Sequence, residues 1–399
     1  MKNSKRSGSS RAKLDKKNTE LLRDPSEVVG SGIRLDSFSP DTFRQTVTGA
    51  WWDILHELGA TLIATREYEH LAIAFSTDGK SRETTVHPLP HPSGIAYCPN
   101  RKRVYIASTR NPNQVVCFAP AIAAVETTKI AALYANRPLM PETASFFPGR
   151  TYLHDLAVIG KKLHGTATGM NTVCRLDEPG RPRRVWWPKS VESDGRPNIE
   201  KNYIQLNSIA AGRSIRESYF TASCATPGRY RPGHLRFSVD GQGVVFSGRS
   251  REPIAHGLTR PHSLRLSRNE LWVANSGYGE VGVVQDGEFH GFAKLPGWTR
   301  GLAMTERYIF AATSRILPRF EAYAPGLNPA DCRCGIHVVS RRDGAVLGSV
   351  TWPFGNQVFG VELVPRQFTH GFATSIKRIR SYSRRNELYY SFSSDTDGP

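Results

Sequence analysis

The sequence predicts an all-β fold, a six-bladed β-propeller whose ring is closed by one blade shared between the N- and C-terminal parts of the chain. Three observations support this fold class. Short runs rich in β-branched and aromatic residues, such as RVYIAS and ELWVAN, recur up to about residue 375 between Gly, Pro, Asn or Asp turns. One phrase recurs six times, at intervals of roughly 40–60 residues. Finally, the two ends of the repetitive region contain complementary parts of one blade.

The repeated phrase begins with a polar or otherwise distinctive residue, followed by Gly, Ser or Asp and usually by an apolar pair. Its six copies begin at Ser93, His154, Asn207, His262, Arg300 and Phe359. The innermost strand of each propeller blade lines the central channel, so we expect these six residues to form a ring at one mouth. Four of them are His, Asn or Arg, and burying such groups without partners costs about several kcal/mol each. They are therefore expected to face a common water-filled cavity.

Closure of the ring follows from the two ends of the repetitive region. The last copy of the phrase, at residues 359–364, lacks the three strands that follow the other copies. Residues 61–88 contain three strand-like runs (TLIATR, HLAIAFS and TTVHP) without an inner strand before them. Joining these fragments completes a sixth blade and removes the exposed sheet edges of an open array. A two-sheet sandwich also explains the strands, but not why the end fragments complement each other.

The chain is predicted to have three parts: a basic flexible leader at 1–48, the propeller at 49–375, and a basic and polar tail at 376–399. Within the propeller, WWDILHELGA at 51–60 has the spacing of an amphipathic helix of one or two turns. No apolar run approaches the roughly 20 residues that span a bilayer. The basic start lacks an apolar segment after its charges, and the six cysteines are sparse. We therefore expect a cytoplasmic protein with no membrane span and with reduced structural cysteines.

The formal net charge of +18 bears on partners rather than on fold. The excess is spread along the chain, and only Arg300 of the basic residues begins a copy of the phrase. A nucleic-acid site concentrates basic and aromatic residues. The nearest approach is Arg181–Arg184 with Trp186 and Trp187, which we interpret as a solvated loop with tryptophan packed beneath it. Nucleic acid is not an expected partner, whereas a protein partner stays open.

The candidate site consists of residues in or beside the repeated phrase. The candidate catalytic residues are His154, His262, Arg300 and Asp155, and the candidate ligand-binding residues are Asn207, Ser263, Ser93 and Glu362. Two imidazoles and an amide oxygen suit a divalent metal ion, so His154, His262 and Asn207 are the candidate metal ligands. Without a metal, either histidine could act as a general base while Arg300 binds an anionic group. Alternatively, these polar residues only satisfy one another in the channel.

Most of the chain, roughly residues 50–370, resembles a family of bacterial conserved hypothetical proteins of unknown function. The phrases that carry this resemblance are HDLAV (154–158), LNSIA (206–210), RPHSLRLSRNELWVANSGYGEVGVV (260–284), LPGWTRGLAM (295–304) and CRCGIHVVSRRDGAVLG (332–348). The family's HD, LN, PHS and TRGL phrases fall on His154, Asp155, Leu206, Asn207, Pro261, His262, Ser263, Thr299, Arg300, Gly301 and Leu302. That family is similar in outline to gluconolactonase-like and NHL-type six-bladed propellers. The resemblance implies the fold and a pocket, but no reaction.

Two departures from the family pattern bear on a metal site. The family often has His where this chain has Gln205, and an acidic residue near the position of Gln357 and Gly360. Lactonase-type propellers hold a divalent cation with Glu, Asn and Asp, a set that Asn207 and Glu362 would partly reproduce. Amidating-lyase-type propellers bind zinc through histidine, which suits the two histidines of the phrase better. The two departures remove possible ligands and weaken the expectation of a metal.

The functional expectation is a cytoplasmic enzyme or small-ligand binder whose substrate is small and polar or anionic. An enzyme would be of the lyase or hydrolase type, with or without a divalent metal ion. The alternative is a non-catalytic propeller scaffold that binds a protein or a polyanion through its basic surface.

Overall fold

The structure is a computed structural model, and it describes residues 38–110, 112–121, 123–126, 137–377 and 388–391. Most of the predicted leader, residues 1–37, lies outside the described residues. So do residues 378–387 and 392–399 of the predicted tail.

Six antiparallel sheets surround a central channel, and we number these blades by the chain order of their innermost strands. From the channel outward, blade 1 consists of Pro92–Cys98, Arg103–Ser108, Gln114–Pro120 and Leu139–Phe146. Blade 2 consists of Leu153–Ile159, Lys162–Ala167, Thr172–Arg175 and Arg183–Trp186. Blade 3 consists of Leu206–Ala210, Tyr219–Ala222, Gly243–Ser247 and Pro253–Leu258. The strand runs predicted in these blades, including RVYIAS and QVVCFA, are confirmed.

The other three blades follow the same pattern, and two of them gain a fifth strand. Blade 4 consists of Pro261–Ser267, Glu270–Asn275, Glu280–Gln285 and Glu288–Lys294. Blade 5 consists of Trp298–Met304, Tyr308–Ser314, Cys334–Ser340, Val346–Trp352 and Thr46–Gly49. Blade 6 consists of Val361–Pro365, Ala60–Arg66, Leu71–Thr77, Arg82–Pro88 and Thr374–Ser375.

Blade 6 closes the ring as predicted. Its inner strand comes from the C-terminal region and pairs antiparallel with Ala60–Arg66, with Leu62 opposite Leu363. The pairing gives every inner strand a neighbour and leaves no open end to the ring. The fifth strand of blade 5, Thr46–Gly49, lies shortly before Ala60–Arg66 in the sequence. The strands of the propeller therefore include residues before position 49, where the sequence predicts the propeller to begin.

The predicted helix at 51–60 is present as α1, Trp51–Glu57. It packs over blades 5 and 6, where Trp51 and Leu55 are fully buried. The Trp51 ring meets Phe75 of blade 6 and Phe310 of blade 5 edge-on, at centroid distances of 5.4 and 6.1 Å. Burying an aromatic side chain of this size stabilises by roughly 2–3 kcal/mol. The N-terminal segment thus binds the closing blade to its neighbour.

The remaining elements are short. The 3₁₀ turns are Pro40–Phe43, Pro99–Arg101, Thr168–Met170, Lys189–Val191, Ile215–Glu217, Ser276–Tyr278, Pro318–Tyr323 and Pro329–Asp331. Two-stranded ribbons pair Glu192–Ser193 with Arg196–Pro197, and Ala123–Glu126 with Leu388–Ser391. None of the helices that the structure describes has the length and apolar character needed to cross a bilayer. All six cysteines are buried, and burial raises the pKa of the Cys334 thiol to about 12.

The repeated phrase corresponds to a β-bulge. In five of the six inner strands the register with the second strand shifts where the phrase lies, for example between Leu153 and Leu156 and between Thr299 and Leu302. A bulge bends the strand and redirects a side chain that the regular pleat would place elsewhere. In these five blades the bulge therefore changes the direction of side chains in the phrase, at one end of the channel.

The second residue of the phrase connects neighbouring blades. Where it has a polar side chain, that side chain accepts a hydrogen bond from a backbone N–H of the next inner strand. The acceptor–donor pairs are Asp155 with Ile209, Ser208 with Leu264, and Ser263 with Gly301, at 2.8–3.1 Å. These bonds satisfy backbone donors that the bulges release from the sheet ladders.

Candidate functional site

A cavity of about 790 Å³ opens at the mouth of the channel where the inner strands begin. Its walls come from the starts of the inner strands and from loops between second and third strands of several blades. Five arginines and one carboxylate line it: Arg110, Arg231, Arg260, Arg300, Arg315 and Glu67. Aromatic side chains also line it: Tyr68, Tyr152, Trp298, Phe320, Tyr323 and Phe359. The cavity is therefore strongly cationic, with apolar ring faces between the charges.

The structure brings most of the predicted ring together at the floor of this cavity. His154, His262, Arg300 and Phe359 line the floor. Asn207 borders a pocket of only about 10 Å³ directly below, which the same four side chains share. The Ser93 hydroxyl is fully buried and donates to the Leu153 carbonyl at 2.7 Å, so it joins blades 1 and 2.

Arg300 is the central charge of the floor. Its Cζ lies 3.2 Å from the centroid of the Phe359 ring, and its Nη2 lies 3.5 Å from Nδ1 of His154. With its amide oriented to satisfy both neighbours, Gln357 accepts from Nη1 of Arg300 at 2.9 Å. Burial lowers the pKa of the Arg300 guanidinium to about 10, so it stays charged at neutral pH. Arg300 is thus a desolvated cation held by uncharged neighbours.

Glu67 contacts this cation only through Gln357. The Gln357 amide nitrogen donates to Oε2 of Glu67 at 2.7 Å, while Oε1 lies 3.0 Å from Nε of Arg110. Burial raises the pKa of Glu67, and the charges of Arg110 and Arg300 oppose that rise. His91 lies 3.9 Å from the same carboxylate. Glu67 therefore neutralises Arg110 at the rim and leaves Arg300 without a directly bound counter-ion.

His262 is held as a neutral imidazole with a defined tautomer. Its Nδ1 lies 2.8 Å from the Arg260 carbonyl oxygen and 2.9 Å from Oγ of Ser276, whose own proton goes to the Thr299 carbonyl. A carbonyl only accepts, so Nδ1 carries the proton and Nε2 carries the lone pair. Burial, followed by the charge of Arg300, lowers the pKa of His262 well below its usual value. Nε2 is thus an unprotonated base at neutral pH.

His154 and Asn207 border the same small pocket at the floor. Nδ2 of Asn207 donates to the Pro261 carbonyl at 3.0 Å, which leaves its Oδ1 available to the His154 ring. Burial and the charge of Arg300 lower the pKa of His154 well below its usual value, and the nearby Asn207 side chain opposes this. Both imidazoles are therefore neutral beside a fixed cation.

The predicted metal ligands lie beside a fixed positive charge. Among the residues that the structure describes, no group of three or more His, Cys, Asp or Glu side chains is arranged to hold one. His154, His262 and Asn207 do converge, but the Arg300 guanidinium lies beside them, with Nη2 3.5 Å from Nδ1 of His154. A metal site in a protein normally includes carboxylates or thiolates or excludes competing cations. A fixed guanidinium favours an anion here instead.

Three of the predicted residues lie deeper in the channel. Asp155 accepts from the N–H groups of Leu156 and Ile209, and its Oδ2 lies 3.0 Å from Nη1 of Arg265. Burial raises the pKa of Glu362 to about 7, and Arg265 opposes this rise. Ser263 accepts from the Gly301 N–H at 2.8 Å. Asp155 and Ser263 therefore use their side chains between blades, below the mouth cavity.

A second buried cation, Arg260, lies in the cavity wall. It is not among the site residues that the sequence predicts. It donates to Oε1 of Gln205 and to the Pro232 carbonyl, and its Cζ lies 3.9 Å from the Tyr323 ring centroid. Burial lowers its pKa to about 10. Its only sequence signal is its position immediately before the PHS phrase. His91 also lines the cavity.

A protein-family model described as "Domain of unknown function (DUF4915)" matches residues 49–370 of this chain. No curated protein matches it. The matched segment contains the four innermost strands of every blade and every residue that lines the cavity.

Solved structures with similar chain paths include several proteins of low sequence identity. A chain of a nidogen/laminin complex has a TM-score of 0.48 at 9% identity, covering 77% of this chain and 98% of that one. A gluconolactonase from Xanthomonas campestris has a TM-score of 0.44 at 13% identity, covering 83% and 95%. A protein of unknown function from Bacteroides caccae has a TM-score of 0.45 at 8% identity, covering 76% and 98%. Likenesses this distant say nothing about the chemistry of the cavity.

Proposed function

The chain belongs to the DUF4915 family, and from its own cavity we propose that it is an enzyme that binds a small organic anion at the mouth of the propeller channel. The observation that carries this proposal is the charge of the wall, five arginines against one carboxylate, with Arg300 buried at the floor. A desolvated guanidinium binds carboxylate, phosphate or sulfate groups through charge-assisted hydrogen bonds. An acidic group of the ligand would supply the counter-charge that Arg300 lacks.

The catalytic part of the proposal rests on His262. Its Nδ1–H is fixed by the Arg260 carbonyl, so Nε2 is the atom free to accept a proton. In a lyase reaction this proton would leave the carbon next to the bound acidic group, and in a hydrolase reaction it would leave a water molecule. Either way it forms an imidazolium at His262, while Arg300 stabilises the negative charge left on the substrate. No metal ion enters these steps.

The test is ligand binding by calorimetry, after a thermal-shift screen of organic carboxylates, phosphates, sulfates, amines and neutral sugars. We expect anions to raise the melting temperature, and Arg300→Met to weaken the best anion by roughly 30-fold, as for loss of a hydrogen bond to a buried charge. The control is Arg342→Met, because the Arg342 side chain is 89% exposed. It should bind anions as the unsubstituted protein does.

Two results would overturn the proposal. The first is an absence of any thermal shift with anions, and the second is equal anion affinity in the Arg300 variant and the unsubstituted protein. The scaffold alternative makes its own prediction. Heparin, a polyanion, would then bind equally to the Arg300→Met variant, and small anions would not compete with it.

A further inference from the structure

The wall of the cavity contains two buried guanidinium groups rather than one. Arg260 and Arg300 are 1% and 7% exposed. Among the described residues, neither forms an ion pair with a carboxylate, since Glu67 pairs with Arg110 and Asp155 with Arg265. A buried charge without a counter-charge is strongly unfavourable. Both positions therefore favour a ligand that brings negative charge with it.

Neutral amides hold both cations. Gln205 accepts a hydrogen bond from Nη1 of Arg260, and Gln357 accepts one from Nη1 of Arg300 at 2.9 Å. An aromatic ring covers a face of each guanidinium: Tyr323 at 3.9 Å for Arg260, and Phe359 at 3.2 Å for Arg300. These contacts orient the guanidinium groups and leave their charges intact. Each of the two guanidinium groups is thus held by one glutamine amide and one aromatic ring.

His262 lies close enough to both cations to be affected by their charges. The Arg260 carbonyl fixes its Nδ1, and both guanidinium charges act on its ring. The cavity volume of about 790 Å³ lies within the range for sites that enclose drug-sized organic ligands. A ligand of that size can reach the floor and the wall together.

We propose that the ligand of this cavity is a dianion with two separate acidic groups, one bound at Arg300 and the other at Arg260, with the reacting part beside His262. This inference rests on the proposed function and adds to it the number and placement of the acidic groups. Dicarboxylates and bisphosphonates share this chemistry. They differ in geometry, because a carboxylate is planar and a phosphonate is tetrahedral.

The test compares dianions with matched monoanions. Succinate, glutarate and adipate are titrated against their monomethyl esters, and methylenediphosphonate against methylphosphonate. In the unsubstituted protein we expect the best dianion to bind roughly 30-fold more tightly than its matched monoanion, through one additional charge-assisted contact. Whichever series shows the preference identifies the acidic group. This comparison needs no variant, so it holds even if a variant does not fold.

Two variants assign the acidic groups to the arginines. Gln205→Glu supplies an internal counter-charge to Arg260 and should weaken dianions while leaving monoanion affinity within roughly threefold. Gln357→Glu does the same beside Arg300 and should weaken both classes. Gln367→Glu adds the same charge at an exposed residue away from the cavity and should change neither. Circular dichroism and melting temperature confirm that each variant is folded.

The outcomes separate the two proposals. Dianions that bind no better than monoanions, or a dianion preference that survives Gln205→Glu, would overturn the two-group inference and leave the anion site at Arg300 standing. If no probe binds to the unsubstituted protein, the proposed function fails together with the inference.

Discussion

The guanidinium carbon of Arg300 lies 3.2 Å from the centroid of the Phe359 ring, and the two residues begin consecutive copies of the repeated phrase. Arg300 belongs to blade 5 and Phe359 directly precedes the inner strand of blade 6, so this contact joins the closing blade to its neighbour. The same ring meets His154 of blade 2 edge-on, at a centroid distance of 5.5 Å. Closing the propeller and positioning the anion-binding cation are therefore linked through one aromatic side chain.

Phe359→Leu should weaken anion binding by roughly 5- to 10-fold, because a desolvated cation–π contact stabilises by about 1–2 kcal/mol and orients the guanidinium. The measurement is the dissociation constant of the best anion by calorimetry. Phe359→Tyr keeps the ring face and is the control, expected to bind within roughly twofold of the unsubstituted protein. Anion affinity that is unchanged in Phe359→Leu would show that the ring does not position Arg300.

The ring of blades and its closure could be predicted because they depend on repetition. The repeated phrase marks the bulge of five of the six inner strands, and a missing inner strand at one end matched a surplus strand at the other. The residues at the first position of the phrase could be placed at one mouth for the same reason. Their meeting at one floor follows from the symmetry of the ring, without knowledge of any side-chain contact.

The rest of the site could not be predicted because it comes from loops without a repeat. Glu67 lies between two strands of blade 6, and Arg260 has a positive φ of 53° just before blade 4. No pattern in the sequence relates either position to Arg300. The role of the second phrase position was also hidden. In the sequence, a polar residue at that position suggests a side chain that binds a metal or substrate. In the structure, the Asp155 side chain instead accepts a hydrogen bond from Ile209 of the next blade.

Asp155→Asn should therefore reduce stability more than ligand binding. It weakens the pairing with Arg265, which lies in the channel below the mouth cavity, and we expect a loss of about 2 kcal/mol of unfolding free energy. Denaturant titration measures this loss, and calorimetry should show anion affinity within roughly threefold. Asp343→Asn, at an exposed ion pair with Arg342, is the control and should be neutral. A variant of normal stability that no longer binds or turns over ligand would instead place Asp155 in the chemistry.

His87 should make the protein sensitive to acid. Its ring packs edge-on to Phe118 at 5.1 Å and stacks on Phe372 at 5.7 Å, and burial lowers its pKa to about 4. In the unfolded chain His87 takes up a proton near pH 6.5, whereas in the folded chain it stays neutral down to about pH 4. Its contribution to the free energy of unfolding is therefore fully present above pH 6.5 and falls as the pH drops towards 4. At pH 5 the loss from this residue is up to about 2 kcal/mol.

His87→Phe tests this contribution, because phenylalanine suits the aromatic cluster and cannot take up a proton. Unfolding free energies measured between pH 7 and pH 5 should decline less steeply in the variant, by up to about 2 kcal/mol. His256→Gln, at an exposed histidine, should leave the decline unchanged. Equal slopes in His87→Phe and in the unsubstituted protein would assign the acid sensitivity to other groups.

Anion binding should be accompanied by proton uptake at the floor of the cavity. The charge of Arg300 lowers the pKa of both His154 and His262, after burial itself. A bound anion offsets that charge, so the pKa of each imidazole rises in the complex and affinity increases as the pH falls below neutral. Binding heats measured in Bis-Tris and in imidazole, which are cationic buffers that do not compete for the site, give the number of protons taken up. His262→Gln should reduce that number, and binding that is independent of pH with no uptake in either buffer would mean that the anion does not lie beside these histidines.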